Sequence, residues 1–170
     1  SGAIMGIDDA GGANLMGAGF LALSLWLWRY DVARSTIRRS GQTRFFATSL
    51  LAGYAWLGVA GLLALLGAVG SWPFGYDLVL HLTLIGFVLS MVFAHALIIL
   101  PAVTGMKLTY SPSLYGPLFL LHASIAMRLV GGSLEIDDLR LASSVITVLA
   151  IASFAVTLAL SSLRRSHRNA

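Results

Sequence analysis

The stretch YDLVLHLTLIGFVLSMVFAHALIILPAVTG, Tyr76–Gly105, decides the fold. It is apolar enough to cross a bilayer as a helix, yet it carries two histidines, His81 and His95. An ionisable side chain within a membrane span is costly unless it has a partner, so it marks a candidate functional site. Because fourteen residues separate them, a uniform α-helix would place the two histidines within about 40° of each other and about 21 Å apart along its axis. The spacing therefore predicts that both face the same neighbour, one near each membrane surface.

The composition of the whole chain is that of a membrane protein. Of 170 residues, 58% are hydrophobic and 11% are charged, whereas about a quarter of the residues in a soluble domain are charged. The absence of cysteine excludes disulfides and thiolate-bound metal or iron–sulfur centres. The formal charge of +4 comes from basic residues that cluster near the ends of apolar segments. Such clustering indicates membrane topology, so we expect no nucleic-acid partner.

Five apolar segments divide the sequence, and short polar links join them. We predict an all-α polytopic bundle of five transmembrane helices that forms a single transmembrane domain over residues 1–170. In a bilayer each spanning helix satisfies its own backbone hydrogen bonds, so the segments must pack as helices. The predicted helices cover about residues 13–30, 45–70, 76–100, 112–131 and 139–163.

The distribution of charge predicts the orientation of the bundle. One side would hold the 31–44 link, Lys107 and the C-terminal tail, and with them nine of the eleven lysines and arginines. The other side would hold six of the seven acidic residues. Because basic residues favour the cytoplasmic side, we predict an external N-terminus and a cytoplasmic C-terminus.

Histidine at a fixed depth in an apolar bundle is a usual ligand of haem iron. The fourth predicted helix adds His122 near mid-membrane and Arg128 near the level of His81. Fourteen-residue spacing on one span is also the arrangement of cytochrome b-type bundles with two stacked haems. Two bis-histidine haems need four ligands, however, and only three histidines lie in predicted spans. One bis-histidine haem, formed by His81 or His95 with His122, or one five-coordinate haem therefore fits better.

Each of these residues also has a plainer interpretation. Any one of the three histidines could simply be hydrogen-bonded within the protein, and Arg128 could bind a haem propionate, reach the outer interface or pair with Asp137 or Asp138. Copper held by clustered imidazoles is the other metal option, although His81 and His95 are too far apart to share one ion. No catalytic residue is identified, because no serine–histidine–acid set, paired carboxylates or phosphate-binding loop occurs.

A second stripe on the third predicted helix consists of small residues at helical spacing, Thr83, Gly86, Ser90 and Ala94. Small side chains allow another helix to approach closely. The stripe lies opposite the predicted histidine face. We therefore expect the third helix to have neighbours on two sides and to occupy a central position.

The sequence around the first of these histidines resembles the NnrS family of haem-containing bacterial membrane proteins. The matching residues are His81 followed by Gly86–Phe87, an apolar run, and then Pro101 and Thr104–Gly105. The resemblance implies haem b, electron-transfer chemistry linked to respiration or nitrogen oxides, and a location in the bacterial cytoplasmic (inner) membrane. It carries haem ligation to His81 and, less directly, to His95 and His122. NnrS-like chains are longer and have more spans, so this chain would be a half-length relative, a fragment or one subunit of an assembly.

Three functional hypotheses follow. The first is a haem-binding membrane protein or subunit with His81, His95 and His122 as candidate ligands. The second is a b-type cytochrome anchor that exchanges electrons with quinol and takes a further ligand from a partner chain. The third is a cofactor-free accessory subunit of a respiratory or photosynthetic membrane complex. All three predict lipid and other membrane subunits as partners, and whether the chain is an enzyme stays open.

Overall fold

Helices account for most of the residues that the structure describes. The computed structural model describes the backbone of residues 9–105 and 108–166, and the side chains of residues 11–105 and 108–162. The helices are α1 (Asp9–Tyr30), α2 (Ala33–Thr36), α3 (Gln42–Leu65), α4 (Ala68–Ser71), α5 (Gly75–His81), a π-helical segment (Leu82–Val88), α6 (Leu89–Thr104), a 3-10 turn (Pro112–Leu114), α7 (Tyr115–Ser133) and α8 (Asp137–Ser166). The described ranges contain no strand. The predicted all-α class is confirmed.

In the part of the chain that the structure describes, four helical segments are long and apolar enough to cross a membrane, Gln42–Leu65, Gly75–Thr104, Pro112–Ser133 and Asp137–Ser162. They correspond to the second to fifth predicted spans. The first predicted span, residues 13–30, is helical within α1 but is not among these four. Its glycines, its tryptophans and Asn14 make it less apolar than the others. A fifth span and the orientation stay predictions, and Asp8, Lys107, His167 and Arg168, which contributed to the predicted charge distribution, lie outside the described residues.

Glycine and proline shift the ends of the predicted spans. Helix α3 ends at Leu65 rather than near residue 70, because Gly67 adopts a left-handed φ of +80°. The third predicted span is the helical segment Gly75–Thr104, which we call the central span. It continues through Pro101 to Thr104, and Gly105 at φ +71° ends it. Glycine is the residue best suited to that conformation, whereas a proline in the last turn costs only one backbone bond. The predicted stop at Leu100 was therefore too early.

The central span is interrupted by the π-helical segment, which begins directly after His81. In a π-helix the backbone bonds join residues five apart, so each residue advances less around the axis than in an α-helix. His95 lies against Phe46 of α3, whereas His81 lies beside the Asp77 carboxylate that binds Arg128 of α7. The prediction that the two histidines face one shared neighbour assumed uniform α geometry, and the π-helical segment changes the rotation between them. The shared neighbour therefore stays a prediction.

Small residues bring α3 close to two neighbouring segments. A Cβ atom at Gly86 would lie 2.6 Å from the Cβ of Trp56, and one at Gly53 would lie 3.2 Å from the Cβ of Ser90. On the other side of α3, a Cβ at Gly61 would lie 2.7 Å from a backbone nitrogen of α1. The predicted small-residue stripe thus does permit close packing. Helix α3 and the central span form the core of the bundle, and α8 packs mainly against α7.

Candidate functional site

A cleft of about 660 Å³ opens between α3 and α6, beneath the end of α1 and the short helix α2. We call it the His95 cleft. Its apolar wall includes Phe46, Leu50, Met91 and Ile98, and polar groups from residues 31–43 lie at its mouth. Binding sites for small molecules and cofactors typically have volumes of about 300–1,000 Å³ and mostly apolar linings with a few placed polar groups. The cleft has these properties.

His95 is held in one orientation within this cleft. Its Nδ1 lies 2.8 Å from the carbonyl oxygen of Met91, one helical turn earlier, and its ring meets Phe46 edge-on with centroids 4.7 Å apart. A carbonyl oxygen can only accept a hydrogen bond, so Nδ1 carries the proton and Nε2 has the free lone pair. Metal-binding histidines almost always have their second nitrogen anchored in this way. The structure therefore presents His95 Nε2 as a potential ligand atom.

Tyr54 and Asp31 fix the polar end of the cleft. The Tyr54 hydroxyl donates a 3.0 Å hydrogen bond to Oδ2 of Asp31, and the backbone N–H of Ala33 donates one of 2.6 Å to Oδ1. Ser24 Oγ of α1 also donates to the Tyr54 carbonyl oxygen at 2.7 Å. These bonds tie α1 and α2 to α3. Sequence reasoning assigned no role to this pair, although an aspartate directly after a span and a tyrosine within the next one were visible signals.

His81 has the same local anchor but a different environment. Its Nδ1 lies 2.8 Å from the Asp77 carbonyl oxygen and 3.3 Å from the Asp77 carboxylate. About a third of the side chain, 35%, is exposed. The anchor again leaves the lone pair on Nε2, because the backbone carbonyl accepts the Nδ1 proton. His81 therefore could also bind a metal, at a more open position than His95.

Arg128 is committed to protein partners. Its Nη2 lies 3.1 and 3.0 Å from the two carboxylate oxygens of Asp77, and its Nη1 donates to the Arg140 carbonyl at 3.2 Å and to Ser144 Oγ at 2.9 Å. Asp137, one of the two acids expected to pair with Arg128, instead binds Arg140 at 2.8 Å. Of the three roles that the sequence left open for Arg128, this geometry favours an internal ion pair over a propionate contact. The partner is an acid at the start of the central span, which the sequence pattern did not single out.

His122 has the opposite hydrogen-bonding pattern from the other two histidines. Its Nδ1 accepts a 3.0 Å hydrogen bond from Nε1 of Trp56. An indole N–H can only donate, so in the neutral ring the proton is on Nε2. That nitrogen is buried and has no hydrogen-bond partner. A protonated Nε2 has no lone pair for iron, so this arrangement favours a packing role for His122.

The structure brings His81 and Arg128 together around Asp77, and keeps His95 and His122 in separate surroundings. Among the side chains of residues 11–105 and 108–162, no three histidine or acidic groups converge on a point where a metal ion could bind. A copper site needs clustered imidazoles, and the described residues contain no such cluster.

One comparison with known proteins gives a match. The model of the family described as Domain of unknown function (DUF8744) matches residues 2–163. No curated protein matches significantly, and neither does any solved structure. The resemblance to the NnrS family stays a prediction.

Proposed function

This chain belongs to the family described as Domain of unknown function (DUF8744), and we propose that it is an integral membrane protein that binds haem through His95. The observation that carries the proposal is the anchored His95 ring at the edge of a 660 Å³ cleft. The apolar wall of the cleft offers the dry surroundings that a porphyrin needs. Iron held there would supply one-electron chemistry or bind a small ligand.

Five-coordinate haem is the form that we propose, because no second histidine of the described residues lines the His95 cleft. The bis-histidine haem considered from the sequence pairs His122 with His81 or His95. Either pair requires that Nε2 of His122 loses its proton or that the His122 ring moves away from Trp56. The single-ligand alternative needs neither change. Phe46, Leu50 and Ile98 would contact the apolar ring, and the polar mouth would remain next to the propionates.

The membrane topology is part of the same proposal. We infer five spans, with α1 as the first, because α1 is 22 residues long and packs extensively along α3. The external N-terminus, the cytoplasmic C-terminus and the bacterial inner membrane remain as the charge pattern and the NnrS resemblance imply. Respiratory or nitrogen-oxide electron transfer is the corresponding activity, carried out with other membrane subunits.

A cofactor-free accessory subunit is the second candidate function. It is favoured by the hydrogen bonds that satisfy His122 Nδ1 and the two Nη atoms of Arg128 within the chain. In this case the histidines would serve packing, and the cleft would face a neighbouring subunit. A b-type cytochrome anchor would need a second axial ligand from such a partner.

The test is a reduced-minus-oxidised optical spectrum of the detergent-purified chain, together with the electron paramagnetic resonance spectrum of its oxidised form. We expect a high-spin haem signal that is lost in His95→Ala and retained in His122→Ala, with His81→Ala as a second control. Loss with His81→Ala alone would move the site to His81. A low-spin bis-histidine signal would favour the cytochrome anchor, and a folded chain without any haem signal would favour the accessory subunit.

A further inference from the structure

We propose that the arginine segment, residues 29–44, is a binding surface for the headgroups of anionic glycerophospholipids. It contains five arginines, Arg29, Arg34, Arg38, Arg39 and Arg44, between the end of α1 and the start of α3. Clusters of four to eight basic residues directly beside a membrane span are typical of anionic-lipid recognition. The proposal does not depend on haem: the segment borders the His95 cleft through residues 31–43, but none of its five arginines lines that cleft.

The charges of this segment are not neutralised by the protein. All five arginines are exposed, and none takes part in an ion pair within residues 11–105 and 108–162. The only acid in the segment is Asp31, and its two carboxylate oxygens accept hydrogen bonds from Tyr54 and from the Ala33 backbone. Asp31 is therefore used to hold the segment in place. Its arginines remain available to an external anion.

The backbone of the segment is ordered by hydrogen bonds, so the arginines project from a defined surface. Ala33 is only 2% exposed and docks α2 against α3. The amide of Ile37 donates to the Ala33 carbonyl at 3.0 Å, and that of Arg39 donates to Thr36 at 2.9 Å. A fixed backbone reduces the ordering cost of binding. This distinguishes the segment from a disordered basic tail.

Neighbouring aromatic residues put the segment at the level of lipid headgroups. Trp26, Trp28 and Tyr30 are exposed at the adjoining end of α1, and Trp26 contacts Tyr30 with ring centroids 6.1 Å apart. Exposed tryptophan and tyrosine at the end of a span mark the membrane–water interface. Exposed Val32 adds an apolar side chain at the same place. A lipid phosphate lies at this depth already, whereas a soluble anion would have to be captured from water by separated, unenclosed arginines.

The experiment measures lipid selectivity for the full chain in mixed bilayers. Spin-labelled phosphatidylglycerol and phosphatidylcholine report, by electron paramagnetic resonance, the fraction of each lipid held at the protein surface. We expect the native chain to prefer phosphatidylglycerol and Arg38→Gln/Arg39→Gln to reduce that preference about 25-fold, since each of the two arginines at a membrane surface contributes on the order of a fivefold change. Arg38→Lys/Arg39→Lys, which retains both charges, should keep most of it.

Two controls separate a local site from general charge. Arg164→Gln/Arg165→Gln removes the same charge from the basic C-terminal region of the sequence and should change the lipid preference much less. An equal loss in both double variants would overturn the proposal, because net charge alone would then explain the selectivity. Inorganic phosphate at constant ionic strength should not displace the lipid. Specific displacement would identify a free-anion site instead.

The outcome is independent of the haem spectrum. The glutamine variants alter no residue that lines the His95 cleft, so we expect their haem content to be unchanged. Lipid selectivity without haem would support this surface and reject the proposed function. Haem binding without lipid selectivity would support the proposed function and reject the lipid-binding surface.

Discussion

The indole Nε1 of Trp56 in α3 donates a hydrogen bond of 3.0 Å to Nδ1 of His122 in α7. This one bond assigns the His122 proton to Nε2, whereas the bonds of His81 and His95 to backbone carbonyls assign theirs to Nδ1. Three membrane histidines that look equivalent in the sequence are thereby divided into two chemical types. Only His81 and His95 have a free lone pair on Nε2 that could bind a metal.

The tautomers can be measured directly. In the chain without cofactor, nitrogen-15 NMR of labelled histidines should show His122 protonated on Nε2 and His81 and His95 protonated on Nδ1, because their partners can only donate or only accept. Substitution of each histidine by glutamine assigns the signals. If His122 is found protonated on Nδ1, the Trp56 bond is absent and His122 becomes eligible as an iron ligand again.

Trp56→Phe should destabilise the bundle without affecting His95. The variant removes the donor to Nδ1 of the partly buried His122 ring. A buried polar group left without a hydrogen bond costs about 1–3 kcal/mol, and we expect the lower end because the bond is only partly buried. The free energy of unfolding in mixed micelles checks this. Trp72→Phe is the control, since Trp72 is exposed and should change stability by less than about 0.5 kcal/mol. Equal effects of the two substitutions would contradict the role assigned to the bond.

Asp77→Ala should be among the most destabilising substitutions in the chain. It leaves the Arg128 guanidinium, whose side chain is only 11% exposed, without its carboxylate partner. Removal of one member of a buried ion pair costs about 3–5 kcal/mol, and we expect the lower end because Asp77 is partly exposed. Unfolding in mixed micelles provides the measurement.

Two further variants test the cause of that loss. In Asp77→Ala/Arg128→Met no charge is left unpaired, so part of the stability should return. Asp138→Asn changes an exposed acid without an ion pair in the described residues and should have little effect. A double variant as unstable as the sum of its single variants would show that Asp77 and Arg128 do not depend on each other.

Gly86→Ala should destabilise the contact between α3 and the π-helical segment. The added Cβ would lie 2.6 Å from Trp56 Cβ, so a backbone must shift, and overpacking of this kind typically costs about 1–3 kcal/mol. Gly116→Ala is the matched control, because a Cβ at Gly116 meets nothing within 4 Å. It should be neutral or stabilising by about 0.5 kcal/mol. A neutral result for Gly86→Ala would mean that the helices are farther apart than described.

The Tyr54–Asp31 bond should be measurable by a double-mutant cycle. Tyr54→Phe, Asp31→Asn and the double variant should give a coupling of about 1–2 kcal/mol, since the bond joins a buried hydroxyl to a carboxylate. Because both residues line the His95 cleft, Tyr54→Phe should also lower haem affinity while Tyr30→Phe does not. Zero coupling would show that this bond does not hold the cleft in place.

The amino-acid sequence by itself determined the all-α class and, among its five predicted spans, the four described helices that are long and apolar enough to cross a bilayer, because length and hydropathy are properties of one segment alone. It also predicted the small residues that face α3. The partners of His81, His95, His122 and Arg128 were decided only by the tertiary structure. The π geometry of Leu82–Val88 changes the rotation between His81 and His95 from that of a uniform α-helix. The segment is apolar on every face, so its sequence has no periodicity from which this change could be predicted. Likewise, hydropathy places Trp56 and Asp77 within or beside apolar segments, whereas packing between helices decides that they meet His122 and Arg128.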